Sequence, residues 1–405
     1  MTALAQATMS ALNESLVLDY VRDHDGTSRA TISAELGLSA ASVSRITSRL
    51  LQSGLVTESS TVAEGRGRPA GRLHLNERAG CVLAIDLGGT KCHAALADLS
   101  GTMLIEDVRP TKQDGTPYET LIATIEHLAA AATTPLVAAA IGVPAIVDPN
   151  TGVVLGGPNV HWQNFAIVDD LKGSLDVPFL VDNDVKLAAM AQAWRGLGRG
   201  LTDFATLSLG TGVGGAVVAN GELLRGRNNA AGELGYLIVS PSQLKEPHAD
   251  ELGGVERIIS GPGIAQRARD LLAADASGSQ LDHDSVSSRD VLTAALSGDR
   301  VAVLVVEEVL DGLVMALIAL TATADPELII IDGGVGRSLE PYLERLSASM
   351  ARHAPWQPRL AVSQLGPVPT VLGAIATALW LDRQQATPQI QPRHPKPPPV
   401  TAHAS

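Results

Sequence analysis

Apolar positions near the N-terminus recur with helical spacing. Leu16, Val17, Tyr20 and Val21 mark one short helix, Ile32 and Leu36 a second, and Val43, Ile46 and Leu50 a third. Gly37 separates the second from the third, Ser39 is placed to cap the third and Gly54 to end it. Leu55-Val56-Thr57 and Leu73-His74-Leu75 then read as two strands. Farther along, the pattern changes to apolar runs punctuated by glycine. Two of these match: Leu83-Ala-Ile-Asp-Leu-Gly-Gly-Thr-Lys-Cys-His-Ala-Ala-Leu-Ala and Ala205-Thr-Leu-Ser-Leu-Gly-Thr-Gly-Val-Gly-Gly-Ala-Val-Val-Ala. Each is followed by a turn signal, Ser100-Gly101 or Asn220-Gly221, so each predicts a β-hairpin or meander and the pair predicts an internal duplication. The segments Leu187 to Trp194 and Val301 to Leu320, rich in Ala, Leu and Val, predict buried helices packed on a sheet.

At 405 residues and 45% hydrophobic content, the chain exceeds what one core holds, because single cores stop growing near roughly 250–300 residues. Composition separates four regions: a short helical head, an Arg/Gly/Pro linker from Glu64 to Arg72, a long glycine-punctuated α/β body and a polar tail. The expected units are a winged helix-turn-helix over 1–76, a two-lobed α/β body over 77–383, and a Pro/Gln-rich tail over 384–405. The tail has too little apolar surface to offset its ordering entropy and is expected to be disordered. The net charge of -13 excludes a protein that coats nucleic acid with its whole surface, so any DNA contact must be local. Cys81 and Cys92 are the only cysteines, too few for a disulfide framework or a four-thiolate zinc site, which fits a reducing cytoplasm. Met1 to Tyr20 lacks a basic start followed by an apolar run, and Glu307, Glu308 and Asp311 interrupt the segment from Val301 to Ala324. The expectation is a cytoplasmic protein with no membrane partner.

Burying Val43, Ile46 and Leu50 leaves Ser42, Arg45 and Arg49 on another face of the third helix, where they can reach base edges and phosphates in a major groove. The two strands beyond it are joined by Glu64-Gly-Arg-Gly-Arg-Pro-Ala-Gly-Arg72. Gly and Pro keep that wing thin, so Arg66 and Arg68 can enter a narrow minor groove, with Arg72 at its base. These five arginines face only Glu58 and Glu64, a basic patch in an acidic chain. The alternative is a small three-helix interaction module with a solvated linker. Heads of this kind read paired sites, so a homodimer or homotetramer is expected.

In the body, Asp86-Leu-Gly-Gly-Thr-Lys91 sits at the first hairpin turn. Gly88 and Gly89 let backbone N–H groups approach phosphate, Thr90 and Lys91 add donors, and Asp86 can hold magnesium through water. An isolated match of this kind is also what a tight turn with a surface lysine looks like. The second turn, with Gly210, Thr211 and Gly212, contains the dinucleotide fingerprint, but a strand follows where that fingerprint needs a helix. No Walker-type Gly-Lys-Ser or Gly-Lys-Thr closes either cluster. Two such turns from duplicated halves suggest an actin-like, hexokinase-like cleft. Between them, Val181-Asp-Asn-Asp-Val-Lys-Leu places Asp184 where a strand meets a helix N-terminus, able to take a hydroxyl proton during attack on a γ-phosphate. Plain N-capping by Asp182, Asn183 or Asp184 is the simpler explanation of the same residues.

The body resembles the ROK family of repressors, open reading frames and sugar kinases, a ribonuclease H-like fold, along nearly its whole length. The resemblance is carried by Asp86-Leu-Gly-Gly-Thr-Lys91, Gly157-Pro-Asn-Val-His-Trp162, Asn183-Asp184, Leu209-Gly-Thr-Gly-Val-Gly-Gly215, Ala230-Ala-Gly-Glu-Leu-Gly235, Gly254-Val-Glu256 with Ser260-Gly-Pro262, and Ile331-Asp-Gly-Gly-Val335. It implies that Asn159, Asn183, Asp184, Glu233 and Glu256 bind sugar hydroxyls, that Asp184 is the general base, and that Gly333 and Gly334 lie near adenosine. The head with its Gly-Arg-Gly-Arg-Pro wing resembles the regulator branch. Where the family usually has a histidine that binds both sugar and a structural zinc, this chain has Tyr236, and Pro241 to Gly254 holds no cysteine. The expectation is no zinc site, with the Tyr236 hydroxyl offered to the ligand instead; simple packing of Tyr236 is the alternative.

With the resemblance, which implies repression as the sign, these observations predict a bacterial DNA-binding regulator of carbohydrate genes, with operator DNA as partner and a sugar or sugar phosphate as effector. Its DNA binding needs no cofactor. An ATP- and magnesium-dependent sugar kinase, alone or combined with the regulator, is the second reading, because both phosphate turns and Asp184 are intact. A non-catalytic scaffold with a vestigial head is the third.

Overall fold

A computed structural model describes residues 13–14, 16–60, 71–111, 116–148, 151–156, 162–245 and 253–385. The head opens with helical residues 16–23 (α1), followed by β1 (Thr27–Ser28), α2 (Arg29–Leu36), α3 (Ala40–Gln52), β2 (Val56–Ser60) and β3 (Gly71–Leu75). Ser28 caps α2 by accepting from Thr31 N–H, left-handed Gly37 ends it, and Ser39 caps α3 by accepting from Ser42 N–H. Val17, Val21, Ile32, Val43, Ile46, Leu50, Val56 and Leu73 form its core. The two wing strands pair antiparallel, Val56 opposite Leu75 and Ser60 opposite Gly71. β1 adds a third strand beside β3 that the sequence pattern did not reveal. Residues 61–70, with Arg66 and Arg68, lie outside the described residues.

The body contains two five-stranded sheets built to one plan. β4 (Cys81–Leu87), β5 (Lys91–Asp98) and β6 (Met103–Pro110) form an antiparallel meander, to which β7 (Leu136–Val143) and β10 (Phe179–Asn183) add in parallel, in the order β10-β7-β4-β5-β6. The helix α4 (Pro117–Ala131), the small pair β8 (Ile146–Val147) and β9 (Val154–Gly156), and α5 (Ile167–Leu171) complete this part. After α6 (Asp184–Arg195), the plan repeats with β11 (Phe204–Leu209), β12 (Val213–Ala219) and β13 (Glu222–Leu223) as the meander. Later come α7 (Glu256–Ile259), α8 (Gly261–Ala274), α9 (Ser288–Leu296), α10 (Arg300–Ala324), β14 (Leu328–Asp332), α11 (Gly333–Gly336), α12 (Leu343–Met350) and β15 (Arg359–Val362). The second sheet runs β13-β12-β11-β14-β15, the same order as the first when read by role. The two matching glycine-rich segments are the two leading hairpins, so the duplication extends to topology.

The last helix, α13 (Pro369–Gln385), returns from the second lobe to the first. Val371, Ala374, Ile375 and Ala378 pack with Val82, Ala84, Ala138 and Ala140 of that lobe's sheet and with Leu187 of α6. On its other side α6 packs Ala189 and Met190 against Phe204, Ala216 and Val218 of the second sheet. The two helices thus form the seam of the body. They touch backbone to backbone: a Cβ at Gly373 would lie 1.7 Å from the carbonyl oxygen of Leu187. α13 also includes Gln384 and Gln385, assigned above to the tail, because no Gly or Pro stops the helix before Pro388. Residues 386–405 lie outside the described residues. Cys81 and Cys92 are buried free thiols on β4 and β5. No helix among the described residues is long and apolar enough to cross a membrane.

Candidate functional site

The strand β10 ends and α6 begins on one side of a cavity of about 200 Å³ between the two lobes. Asn183 caps the helix, its Oδ1 accepting from the N–H groups of Val185 at 3.1 Å and Lys186 at 3.2 Å. Its Nδ2 donates to the carbonyl of Ala145 at 3.4 Å. The N-capping foreseen for this segment is therefore real, and it belongs to Asn183. Asp184 follows as the first helical residue and lines the cavity with Glu233, Tyr236 and Glu256 from the second lobe. Glu256 is fixed by two backbone donors, Val213 N–H at 2.8 Å to Oε1 and Gly253 N–H at 3.2 Å to Oε2. Tyr236 is 55% exposed, which removes the core-packing alternative. Asn159 lies outside the described residues.

Carboxylates dominate the electrostatics. Burial pushes Asp184 up to about 6, opposed by the hydrogen bond from Val185 N–H and assisted by Glu233. Burial likewise pushes Asp86, at the end of β4, up to about 7, with Asp184 adding to the effect and Lys91 opposing it. Glu233 is raised by burial against the pull of Lys186, and Tyr236 by burial and the charges of Glu233 and Glu256. Acids held near neutrality in a cleft suit proton exchange with a hydroxyl ligand.

Behind this wall lies a polar network that the sequence reading did not foresee. Arg225 Nη1 donates to Asp182 at 2.6 Å and to Asn229 Oδ1 at 3.1 Å. Asn229 Nδ2 donates to Asp182 at 2.9 Å and to Val147 O at 3.0 Å. Lys186, almost fully buried in the first turn of α6, is held down in its titration by burial. The network sets the angle at which β10 delivers Asn183 and Asp184, since Asp182 also accepts from Asn183 N–H at 2.8 Å.

Both glycine-rich turns reach the cavity through Gly88, Gly89, Gly210, Thr211 and Gly212. The N–H of Gly88 bonds Lys91 O at 2.9 Å and that of Gly210 bonds Gly212 O at 3.0 Å, so these two amides are already taken. Thr111 Oγ1 donates to Gly88 O at 2.7 Å and steadies the first turn. Thr90 and Lys91 are exposed beyond it and are not part of the cavity wall. Gly333 follows Asp332 at a φ of +87°, where a Cβ would lie 2.2 Å from Leu209 O, so a side chain is excluded. Gly334 lines a second, separate cavity of about 610 Å³ with Arg289, Leu292 and Arg337. No group of three or more His, Cys, Asp or Glu among the described residues is placed to hold a metal.

On the head, Arg45 and Arg49 are exposed on α3, whereas Ser42 is half-buried and its Oγ accepts from Ser39 Oγ at 2.9 Å. Arg49 pairs with Glu14 at 2.7 Å. Arg72 donates to Gly26 O at 3.0 Å and so ties the wing to the turn before β1.

The model of the ROK family matches residues 82–382, which spans both lobes and returning α13. The chain belongs to the ROK family. The MarR family model matches residues 9–67, so this ROK chain carries a MarR-type winged helix-turn-helix ahead of its body. A glucokinase of Halalkalibacterium halodurans is 31% identical over 324 residues, 75% of this chain and 95% of the relative. The xylose repressor of Caldicellulosiruptor bescii is 26% identical over 385 residues, 92% of this chain and 96% of the repressor. A solved ROK family transcriptional regulator, a homologue of the Escherichia coli MLC protein, superposes with a TM-score of 0.78 at 27% identity, covering 94% of this chain and 97% of that one. The kinase match covers 75% of this chain, whereas the matches to the two regulators cover 92% and 94%, more than the body alone.

Proposed function

We propose that this protein is a sugar-responsive transcriptional repressor of carbohydrate genes, acting in the bacterial cytoplasm on operator DNA as a homodimer or homotetramer. The observation that carries this reading is a MarR-type head on the same chain as a ROK body, with regulators as full-length relatives. The cleft supports a carbohydrate effector: Asn183, Asp184, Glu233, Glu256 and Tyr236 offer acceptors and a hydroxyl to a polyhydroxylated ring. Three carboxylates in its wall favour an uncharged sugar over its phosphate, because like charges at short range in a part-buried site repel. Differential affinity of the sugar for two arrangements of the lobes and head is all that control of DNA binding requires.

A sugar kinase is the second reading, favoured by Asp184 at about 6 in the cleft beside both glycine-rich turns. The residues fit a nucleotide with magnesium: Asp86 is a desolvated carboxylate suited to a hydrated cation, and side-chain-free Gly89 and Gly212 leave backbone at the cavity wall. When bound, the nucleotide would supply a transferable phosphoryl group. Asp184 would hold the sugar hydroxyl and accept its proton, with Glu233 and Glu256 orienting the ring.

Fluorescence anisotropy with the protein's own upstream DNA tests both readings, using glucose, xylose and N-acetylglucosamine and their phosphates, each with and without ATP and magnesium. A sugar that changes DNA affinity by itself supports the repressor. Phosphorylation of a sugar with no DNA binding would replace it with the kinase.

A further inference from the structure

The head and the C-terminal end of α13 are joined by an ionic cluster far from the cleft. Arg22, on α1, reaches Asp382 of α13, its Nη2 donating to Oδ2 at 3.2 Å. Its Nη1 lies 3.6 Å from Asp19, and Arg383 of α13 lies 3.8 Å from Asp19 and 3.6 Å from Asp23. Two arginines and three aspartates thus alternate across the junction. The Arg22 side chain is only 5% exposed, and its Nε and Nη1 are buried without a hydrogen-bond partner. A buried guanidinium with donors left unmatched gains little from its ion pairs, because desolvation offsets the attraction. This contact closes the head onto the body without locking it. Beside it, Leu75 at the end of β3 and Ala79 of the connector to β4 pack on the same apolar layer as Leu381.

The other end of α13 lies at the cleft. A Cβ at Gly142 would lie 2.7 Å from Thr370 Cγ2 and 3.5 Å from the Cα of Asp184, so the start of α13, the end of β7 and the start of α6 share one point. The backbone contact between Gly373 and Leu187 then fixes α13 to the helix that carries Asp184. From Thr370 to Asp382 the helix spans about 18 Å at 1.5 Å per residue. It runs from the floor of the cleft to the head.

We propose that α13 is the lever by which the cleft sets the position of the DNA-reading head, with the Arg22–Asp382 contact as its latch. This rests on the reading of the cleft as a sugar site. Closure of the lobes on a sugar moves α6, α6 carries α13 through the Gly373 contact, and a small shear at the far end separates Asp382 from Arg22. The head, released on that side, keeps only its connector. Nothing in this sequence of contacts requires a nucleotide.

The test compares the full chain with Asp382→Asn, which removes one charge from a part-exposed position and keeps its shape, and with Asp382→Glu, which restores the charge. Sugar binding is read by calorimetry and DNA binding by anisotropy, with D-glucose, D-xylose and N-acetyl-D-glucosamine as probes. In the parent, the active sugar is expected to change DNA affinity by roughly tenfold, an ordinary size for allosteric coupling, falling below about twofold in Asp382→Asn and recovering in Asp382→Glu. Sugar affinity measured without DNA is expected to be retained or to rise in the Asn variant, because closure no longer has to open the contact, and a fall overturns the latch. Coupling in Asp382→Asn equal to that of the parent overturns the latch. If none of the three sugars binds the parent, it is the reading of the cleft that fails. The latch is then judged by spin-label distances between Ser48→Cys on α3 and Glu126→Cys on α4, labelled selectively because both native thiols are buried. A narrow distribution in the parent that broadens in Asp382→Asn supports the latch, and identical distributions remove it.

Discussion

Arg225 and Asp182 meet across the two lobes, Nη1 donating to Oδ2 at 2.6 Å with side chains 8% and 2% exposed. Asp182 lies on β10 of the first lobe, and Arg225 lies just beyond β13 of the second. This ion pair therefore ties the lobes together behind the cleft wall, one residue from Asn183 and two from Asp184. Arg225 Nε is buried with no partner, so the pair is incompletely satisfied and serves to fix the relation of the lobes more than to add stability.

Breaking that pair from one side strands a charge in the interior. Arg225→Met is expected to destabilise the fold by about 3–5 kcal/mol, the usual penalty for an orphaned buried ion, measured by urea denaturation. Joining it to Asp182→Leu should recover only part of the loss, because the orphaned carboxylate is gone but Asn229 and the Asn183 N–H lose their acceptor and buried Lys186 loses a nearby negative charge. A single variant that unfolds at the parent's urea midpoint would show the pair to be idle.

Asp184 in the cleft wall and Asp86 at the end of β4 set a pH dependence whose sign follows from burial. Asp184 and Asp86 titrate at about 6 and about 7 in the folded chain, against an ordinary 3.8. Between those values the folded state holds more protons than the unfolded one, so their contribution to stability falls as pH rises through that window and is restored on acidification. Asp184→Asn should accordingly raise the melting temperature most near pH 8, less near pH 5, and hardly at all below the ordinary carboxylate value of 3.8. An equal shift above and below this window would refute burial of the ionised form as the cause.

The seam between α6 and α13 makes a steric prediction. Gly373→Ala places a methyl 1.7 Å from Leu187 O, which forces the two helices apart. The expected loss is about 1–3 kcal/mol, as for other overpacked sites, together with weaker sugar binding because α6 carries Asp184. Gly334→Ala, where no atom lies within 4 Å of the new Cβ, is the control and should melt with the parent. Thermal melts of the two variants side by side decide the matter.

Much of this molecule is written locally. The head is legible because Val43, Ile46 and Leu50 recur within one helix and Ser39 and Gly37 punctuate it. The two hairpins are legible because each glycine-rich turn separates strands that pair with their immediate neighbours. What is hidden depends on sequence separation. Arg225 and Asn229 sit in a polar stretch that reads as an ordinary loop, and only folding brings them 43 and 47 positions back to Asp182. Arg22 and Asp382 are 360 positions apart, and no periodicity links them. β1, two residues long, is too short to leave a pattern. The exposure of Tyr236 depends on how two lobes face each other, which no stretch of one lobe encodes.

The head's arginines divide into those that are committed to the fold and those offered outward, and DNA binding should divide in the same way. Arg72 holds Gly26 O, so Arg72→Ala is expected to loosen the wing and lower the head's stability. Arg49 has Glu14 at 2.7 Å and must exchange that exposed pair for a phosphate, which cuts its net contribution. Arg45 is exposed on the same helix. Each phosphate contact releases about one counterion, so Arg45→Ala should flatten the slope of log affinity against log salt by about one, and Arg66→Ala with Arg68→Ala by about two. Anisotropy titrations from roughly 50 to 200 mM salt resolve such differences. If Arg45→Ala leaves the slope unchanged while Arg49→Ala flattens it, the groove is read from the turn of α3 that faces Glu14, and the ion pair there opens on binding.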